Sequence, residues 1–263
     1  MTGDVMDLLQ YTFFQHALLG SLLASIACGI IGTYIVTRRL VFISGGITHA
    51  SFGGIGLGLF AGISPILSAA VFSVLSAFGV EWLSRRKDMR EDSAIAVFWT
   101  LGMALGIMFS FLSPGFAPDL SAYLFGNILT VTREQIILSV VLCLGIILFF
   151  ARFYRPLFYI AFDKEYSRTH HVHVNRIDIA ITLIIALCIV LSLKLAGIIL
   201  VISYLTIPQA IAGIFYKNFK QQLLASALVS TAGSITGLFL SAFLNIPTGA
   251  TIVICFLLFF LIS

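Results

Sequence analysis

Residues 221–263 read QQLLASALVSTAGSITGLFLSAFLNIPTGATIVICFLLFFLIS, without one Asp, Glu, Lys or Arg. About 20 apolar residues suffice to cross a hydrocarbon core, so this stretch has room for two crossings, near 221–243 and 248–262. Working outward, further charge-free stretches cover 8–37, 40–80, 93–118 and 195–216. Of the 263 residues, 60% are hydrophobic and 10% charged, whereas soluble domains carry roughly 25% charge. A soluble globular protein, a nucleic-acid binder and a disordered tail are excluded. The chain reads as an all-α, polytopic integral membrane protein.

Apolar runs predict crossings near 14–36, 47–63, 65–84, 93–113, 134–151, 177–193 and 195–215, besides the two above, for eight to nine transmembrane helices. Basic residues stay on the cytoplasmic side of a membrane. With the N-terminus outside, 13 of the 15 basic residues fall inside, leaving only Arg133 and Lys194 outside. The acidic start (Asp4, Asp7) lacks a basic lead, so the first apolar run is expected to be a retained span rather than a signal peptide. The longest cytoplasmic loop is 152–176, and the rest forms one transmembrane domain over 1–263. Two segments break the pattern. Residues 113–132, SPGFAPDLSAYLFGNILTVT, are apolar but interrupted, and 120–131 is too short to cross, which suggests a half-helix. Pro208 sits inside 195–215, where a kink is expected.

Small residues recur every four positions at Gly46, Ala50, Gly54, Gly58 and Gly62, at Gly102, Gly106 and Ser110, and at Gly233, Gly237 and Ser241. Such faces let membrane helices pack closely, and the same helices could line a narrow path. Cys28, Cys143, Cys188 and Cys255 lie far apart in apolar runs, as buried small residues do.

Chemistry-bearing groups are few. No P-loop, zinc-protease or serine-hydrolase motif occurs, no span carries a ladder of arginines, and span interiors hold essentially no carboxylate. The chain is therefore not expected to be an enzyme or to power transport itself. His49, in ISGGITHASFGG (43–54), is either a hydrogen-bonded structural histidine or a metal ligand; His16 favours the structural reading. His170, His171 and His173 form THHVHV, with no acidic or cysteine partner to complete a metal site. Ahead of them, YRPLFYIAFDKEYSRTH (154–170) mixes aromatic and charged residues, as expected of an amphipathic cytoplasmic helix that docks on a partner.

Several stretches together resemble the permease subunits of bacterial ATP-binding-cassette importers for zinc, manganese and iron. They are VTRRLVFISGGITHASFGG (36–54), REDSAIAVFWTLGMALG (90–106), residues 113–132, FDKEYSRTHHVHVNRID (162–178) and NIPTGATIVI (245–254). The resemblance implies a multi-pass permease of a bacterial or archaeal cell (inner) membrane, paired as a homodimer. It also implies a cytoplasmic cassette ATPase dimer that hydrolyses ATP and an extracytoplasmic metal-binding protein that delivers the ion. It assigns Phe162, Asp163, Glu165, Tyr166 and Arg168 to coupling with the ATPase. His49 is the implied metal residue, while Gly46, Ala50, Gly54, Gly58, Asp119 and Asn127 pack or line the path.

Many members carry an Asp four residues before the histidine; here that position is Gly45. Lacking the carboxylate, the site is expected to favour zinc, which accepts nitrogen ligands readily, over manganese or iron. No permanent cofactor and no nucleic acid are expected. A stand-alone secondary transporter and a permease for iron chelates or cobalamin are the competing classes.

Overall fold

The computed structural model describes residues 9–86, 89–113, 126, 128–169 and 174–263. Regular structure among them is helical, with no strand. The helices are α1 (Thr12–Thr37), α2 (Val41–Ala61), α3 (Pro65–Arg86), α4 (Glu91–Leu112), α5 (Arg133–Arg152), α6 (Tyr154–Phe162), α7 (Lys164–Thr169), α8 (Val174–Phe215), α9 (Phe219–Leu244) and α10 (Thr248–Ile262). A short 3₁₀ turn, Ile128–Thr130, precedes α5. It is the one regular element described within 120–131; residues 120–125 and Asn127 of the expected half-helix, and Asp119 before it, lie outside the described residues.

Seven helical segments are long and apolar enough to cross a membrane, and α10 is a shorter apolar helix of 15 residues. The second expected span, 47–63, corresponds to α2, which begins earlier, at Val41, and is 21 residues long but less apolar than the seven. Helix α8 runs through 42 residues, about 63 Å at 1.5 Å per residue and twice a bilayer core. Gly197 breaks it, with φ 77° and ψ 167°, into the two expected spans, Val174–Leu193 and Leu195–Phe215. That conformation is open essentially to glycine alone. Gly126, also at positive φ, lies directly against the backbone of Ala196 and Gly197, where a side chain has no room.

At Pro208 the dihedrals stay helical, and the break in α8 falls at Gly197. Proline removes the donor that would serve the carbonyl four residues back. Gln209 replaces it: its Nε2 donates to the Tyr204 carbonyl at 2.9 Å and to the Cys28 carbonyl at 3.0 Å. The side-chain amide thus repairs the ladder from within the protein, as a membrane setting demands.

The chain divides into two compact units. The first comprises residues 1–33, 124–149 and 191–263. There α1 and α9 pack through small polar residues at four-residue spacing: Thr33 donates to Ser226 at 3.0 Å, and the hydroxyls of Ser25 and Ser234 meet at 2.9 Å. Tyr204 joins Ser234 at 2.7 Å, and Gly29 lets the backbone of Ala227 approach. On α9, Gly233 faces Phe256 and Gly237 faces Ile252 of α10. His16 bonds the Val131 carbonyl through Nδ1 at 3.1 Å, a structural role. All four cysteines of the chain are buried and none is in a disulfide.

The second unit comprises residues 34–123 and 150–190. Its centre is α2, packed between α3 and α4. Gly54 and Gly58 lie against Ala69 and Pro65 of α3, while Gly53 and Gly56 meet Gly102 and Gly106 of α4. With no side chains between them, backbones come into direct contact, which gives membrane helices their dispersion energy. Gly62 ends α2 in the left-handed conformation, and Ile63 N–H closes onto the Gly58 carbonyl at 3.0 Å.

Candidate functional site

The second unit holds both His49 and the segment 154–169. The hydroxyls of α2 turn back on their own helix: Ser44 onto Val41, Thr48 onto Ser44 and Ser51 onto Thr48, at 2.6–2.8 Å. Satisfied in this way, they need no further partner. His49 is different. Its imidazole stacks on Trp99 of α4, with ring centroids 4.1 Å apart and planes 11° apart. Its Nδ1 is buried without a hydrogen-bond partner. A buried polar atom left in this way costs about 1–3 kcal/mol unless something occupies it.

Gly45 lies one turn before His49, and a Cβ there would meet only the Trp99 ring, at 3.7 Å. Gly46 abuts Ile95 and Ala50 abuts Gly102, so with Gly54 and Gly58 these positions lie against neighbouring helices of the unit. No group of three or more His, Cys, Asp or Glu suited to a metal ion occurs among the described residues. His170, His171, His173 and the side chain of Glu165 lie outside them.

The docking segment is two helices where one amphipathic helix was expected. Asp163 is extended (φ −149°, ψ 103°) and ends α6. Its carboxylate then accepts the Tyr166 N–H at 2.9 Å, capping α7. Asp163 is thereby committed to shaping the segment. Helix α6 buries Leu157, Ile160 and Ala161, one stripe at helical spacing. Phe162 (60% exposed), Tyr166 (48%) and Arg168 face outward. Phe158 and Phe162 meet at a tilt with ring centroids 4.9 Å apart, and Tyr159 and Tyr166 meet at 6.1 Å, which extends an aromatic surface over both helices.

Beyond these lies a group that sequence reasoning missed. Arg38, just after α1, donates through Nη1 to Asp178 Oδ1 and to the Tyr34 hydroxyl, each at 3.0 Å. The two charged side chains are 16% and 9% exposed. Burial on its own lowers the Arg38 pKa; Tyr34 and Asp178 more than offset that and hold it above its ordinary value. A cavity of about 380 Å³ adjoins them, lined by Ser44, Ile47, Glu81, Ser84 and Thr182 among others. This cavity sits at the turn between α1 and α2, not at the His49 ring. An acidic residue at the edge of an apolar run calls for a buried cation, and that signal in Asp178 was available in the sequence.

These features define a multi-pass helical membrane protein with a glycine-packed, histidine-bearing helix and an exposed aromatic segment. The chain belongs to the ABC 3 transport family, whose model matches residues 10–263. It is 40% identical, over all of its length and 94% of the relative's, to an uncharacterised membrane protein of Synechocystis sp.. It is 30% identical to the manganese transport system membrane protein MntC of Halalkalibacterium halodurans, covering 94% of this chain and 85% of that one. PsaBC from Streptococcus pneumoniae, solved in complex with a Fab, superposes with a TM-score of 0.89 at 26% identity, covering 98% of this chain and 93% of that chain. The protein is accordingly a membrane subunit of ABC type.

Proposed function

We propose that the chain is the permease of an ABC importer that carries a divalent transition-metal ion, zinc first, into the cell. The observation that carries this reading is the His49 imidazole, with its buried, partnerless Nδ1, on the most closely packed helix of its unit. Imidazole suits zinc, and Gly45 leaves the neighbouring face without the oxygen donor that manganese prefers. One histidine per protomer makes a weak station, suited to an ion that must also leave. Manganese is the second reading, favoured by the printed names of relatives such as MntC.

In this reading the chain forms one permease domain that crosses the membrane eight or nine times with its N-terminus outside, supported by the distribution of basic residues. Two copies pair, a binding protein delivers the ion from outside, and a cassette ATPase docks on α6 and α7. Phe162, Tyr166 and Arg168 meet that partner, Asp163 shapes the surface and Glu165 contributes charge. Gly46, Ala50, Gly54 and Gly58 keep the path narrow, with Asp119 and Asn127 on its outer side.

Metal-starved cells lacking the gene test the ion. Rescue by this chain that depends on zinc supports the first reading; rescue with manganese and not zinc replaces it with the second.

A further inference from the structure

The docking segment and the His49 helix belong to one unit, and so does the buried Arg38–Asp178 pair. Helix α7 ends at Thr169, α8 begins at Val174, and Asp178 stands in its second turn. Arg38 stands at the elbow where α1 ends, and α2 begins three residues later and presents His49 two turns on. Charge and hydrogen bond together make this link directional in a way that apolar contacts are not.

The elbow itself is strained. Arg39 has φ 58°, a left-handed conformation that glycine usually supplies, closed by the Leu40 N–H on the Ile35 carbonyl at 2.8 Å and the Arg39 N–H on the Val36 carbonyl at 3.0 Å. Strain of this kind persists where the surroundings enforce it and is relieved when they move. The 380 Å³ cavity, lined by both members of the pair and by Ser44 of α2, leaves space beside the elbow for such movement.

We propose that Arg38 and Asp178 form the strut by which movement of the docking segment reaches the α1–α2 elbow and, through α2, His49. When the first turns of α8 shift with α7, Asp178 moves and Arg38 follows, because a separated buried pair costs far more than a joined one. Arg39 absorbs the backbone change and α2 shifts as a body. Both residues are positioning residues. The proposal rests on the importer reading.

The test uses the full complex, this chain with its cassette ATPase in liposomes, measuring zinc moved per ATP hydrolysed. Arg38→Gln and Asp178→Asn are expected to assemble and to hydrolyse ATP within about twofold of wild type, while zinc moved per ATP falls at least about tenfold. The exchange Arg38→Asp with Asp178→Arg is expected to recover much of that ratio. A merely structural role would lower assembly and ATPase together and leave the ratio intact. Single variants that keep the wild-type ratio, or an exchanged pair that assembles and does no better than the singles, would overturn the strut. Should the singles not assemble, the exchanged pair decides: an exchange that assembles with a ratio at least about tenfold below wild type overturns it as well. A wild-type complex that moves neither zinc nor manganese with ATP is a separate outcome and overturns the importer reading instead.

Discussion

His49 shows how much one neighbour decides. A histidine within a bilayer ordinarily finds a hydrogen-bond partner, as His16 does on the Val131 carbonyl. The His49 ring instead lies flat on Trp99, which fixes its plane and leaves Nδ1 without a partner. Aromatic stacking contributes about 0.5–1.5 kcal/mol beyond area burial. Trp99→Ala is therefore expected to raise the zinc concentration for half-maximal uptake severalfold, with the amount of assembled complex unchanged. Gly45 offers the opposite experiment, because a Cβ there meets only an ordinary contact with Trp99. Gly45→Asp would place a carboxylate one helical turn before His49 and should move the uptake preference toward manganese in a two-ion competition. An unaltered preference would remove this face from the ion's route. His49 was legible in the sequence as a lone polar group on a small-residue helix. Trp99 was not, because nothing in the spacing of one helix reveals which aromatic ring a second helix will lay across it.

At the scale of elements, the charge-free runs made the spans visible, and the structure revised their ends and breaks. Pro208 looked like a kink because proline removes a donor, yet Gln209 supplies one from its side chain and α8 continues. Gln209→Leu should cost about 1–3 kcal/mol, read as a lower melting temperature in detergent. The true break, Gly197, is the one glycine between Gly145 and Gly213, but a lone glycine does not announce a break; its role follows from Gly126 pressing on the same backbone. Gly197→Ala should destabilise by about 1–3 kcal/mol. Gly145, inside α5 with nothing within 4 Å of a Cβ, is the contrast: Gly145→Ala should be neutral or stabilise by up to about 1 kcal/mol. The docking segment shows the same limit. Its aromatic and charged composition was legible as a surface element, whereas the division at Asp163 depends on a carboxylate choosing the Tyr166 N–H over solvent.

At the scale of the molecule, the sparse charges locate the work. Membership of the ABC 3 transport family fits a chain whose spans hold essentially no acid to drive transport and whose Tyr159, Phe162 and Tyr166 stand exposed on α6 and α7. Replacing Phe162 and Tyr166 together by Asp should abolish co-purification with the cassette ATPase while the membrane subunit still inserts; retained association would place docking elsewhere. The central claim, that this chain moves a metal ion past His49 at the expense of ATP, is tested most directly by radiolabelled zinc uptake into liposomes that hold the chain with its ATPase. ATP-dependent zinc accumulation, lost on His49→Ala while ATP hydrolysis and assembly persist, is the expected result. Accumulation that the substitution leaves unchanged would contradict it.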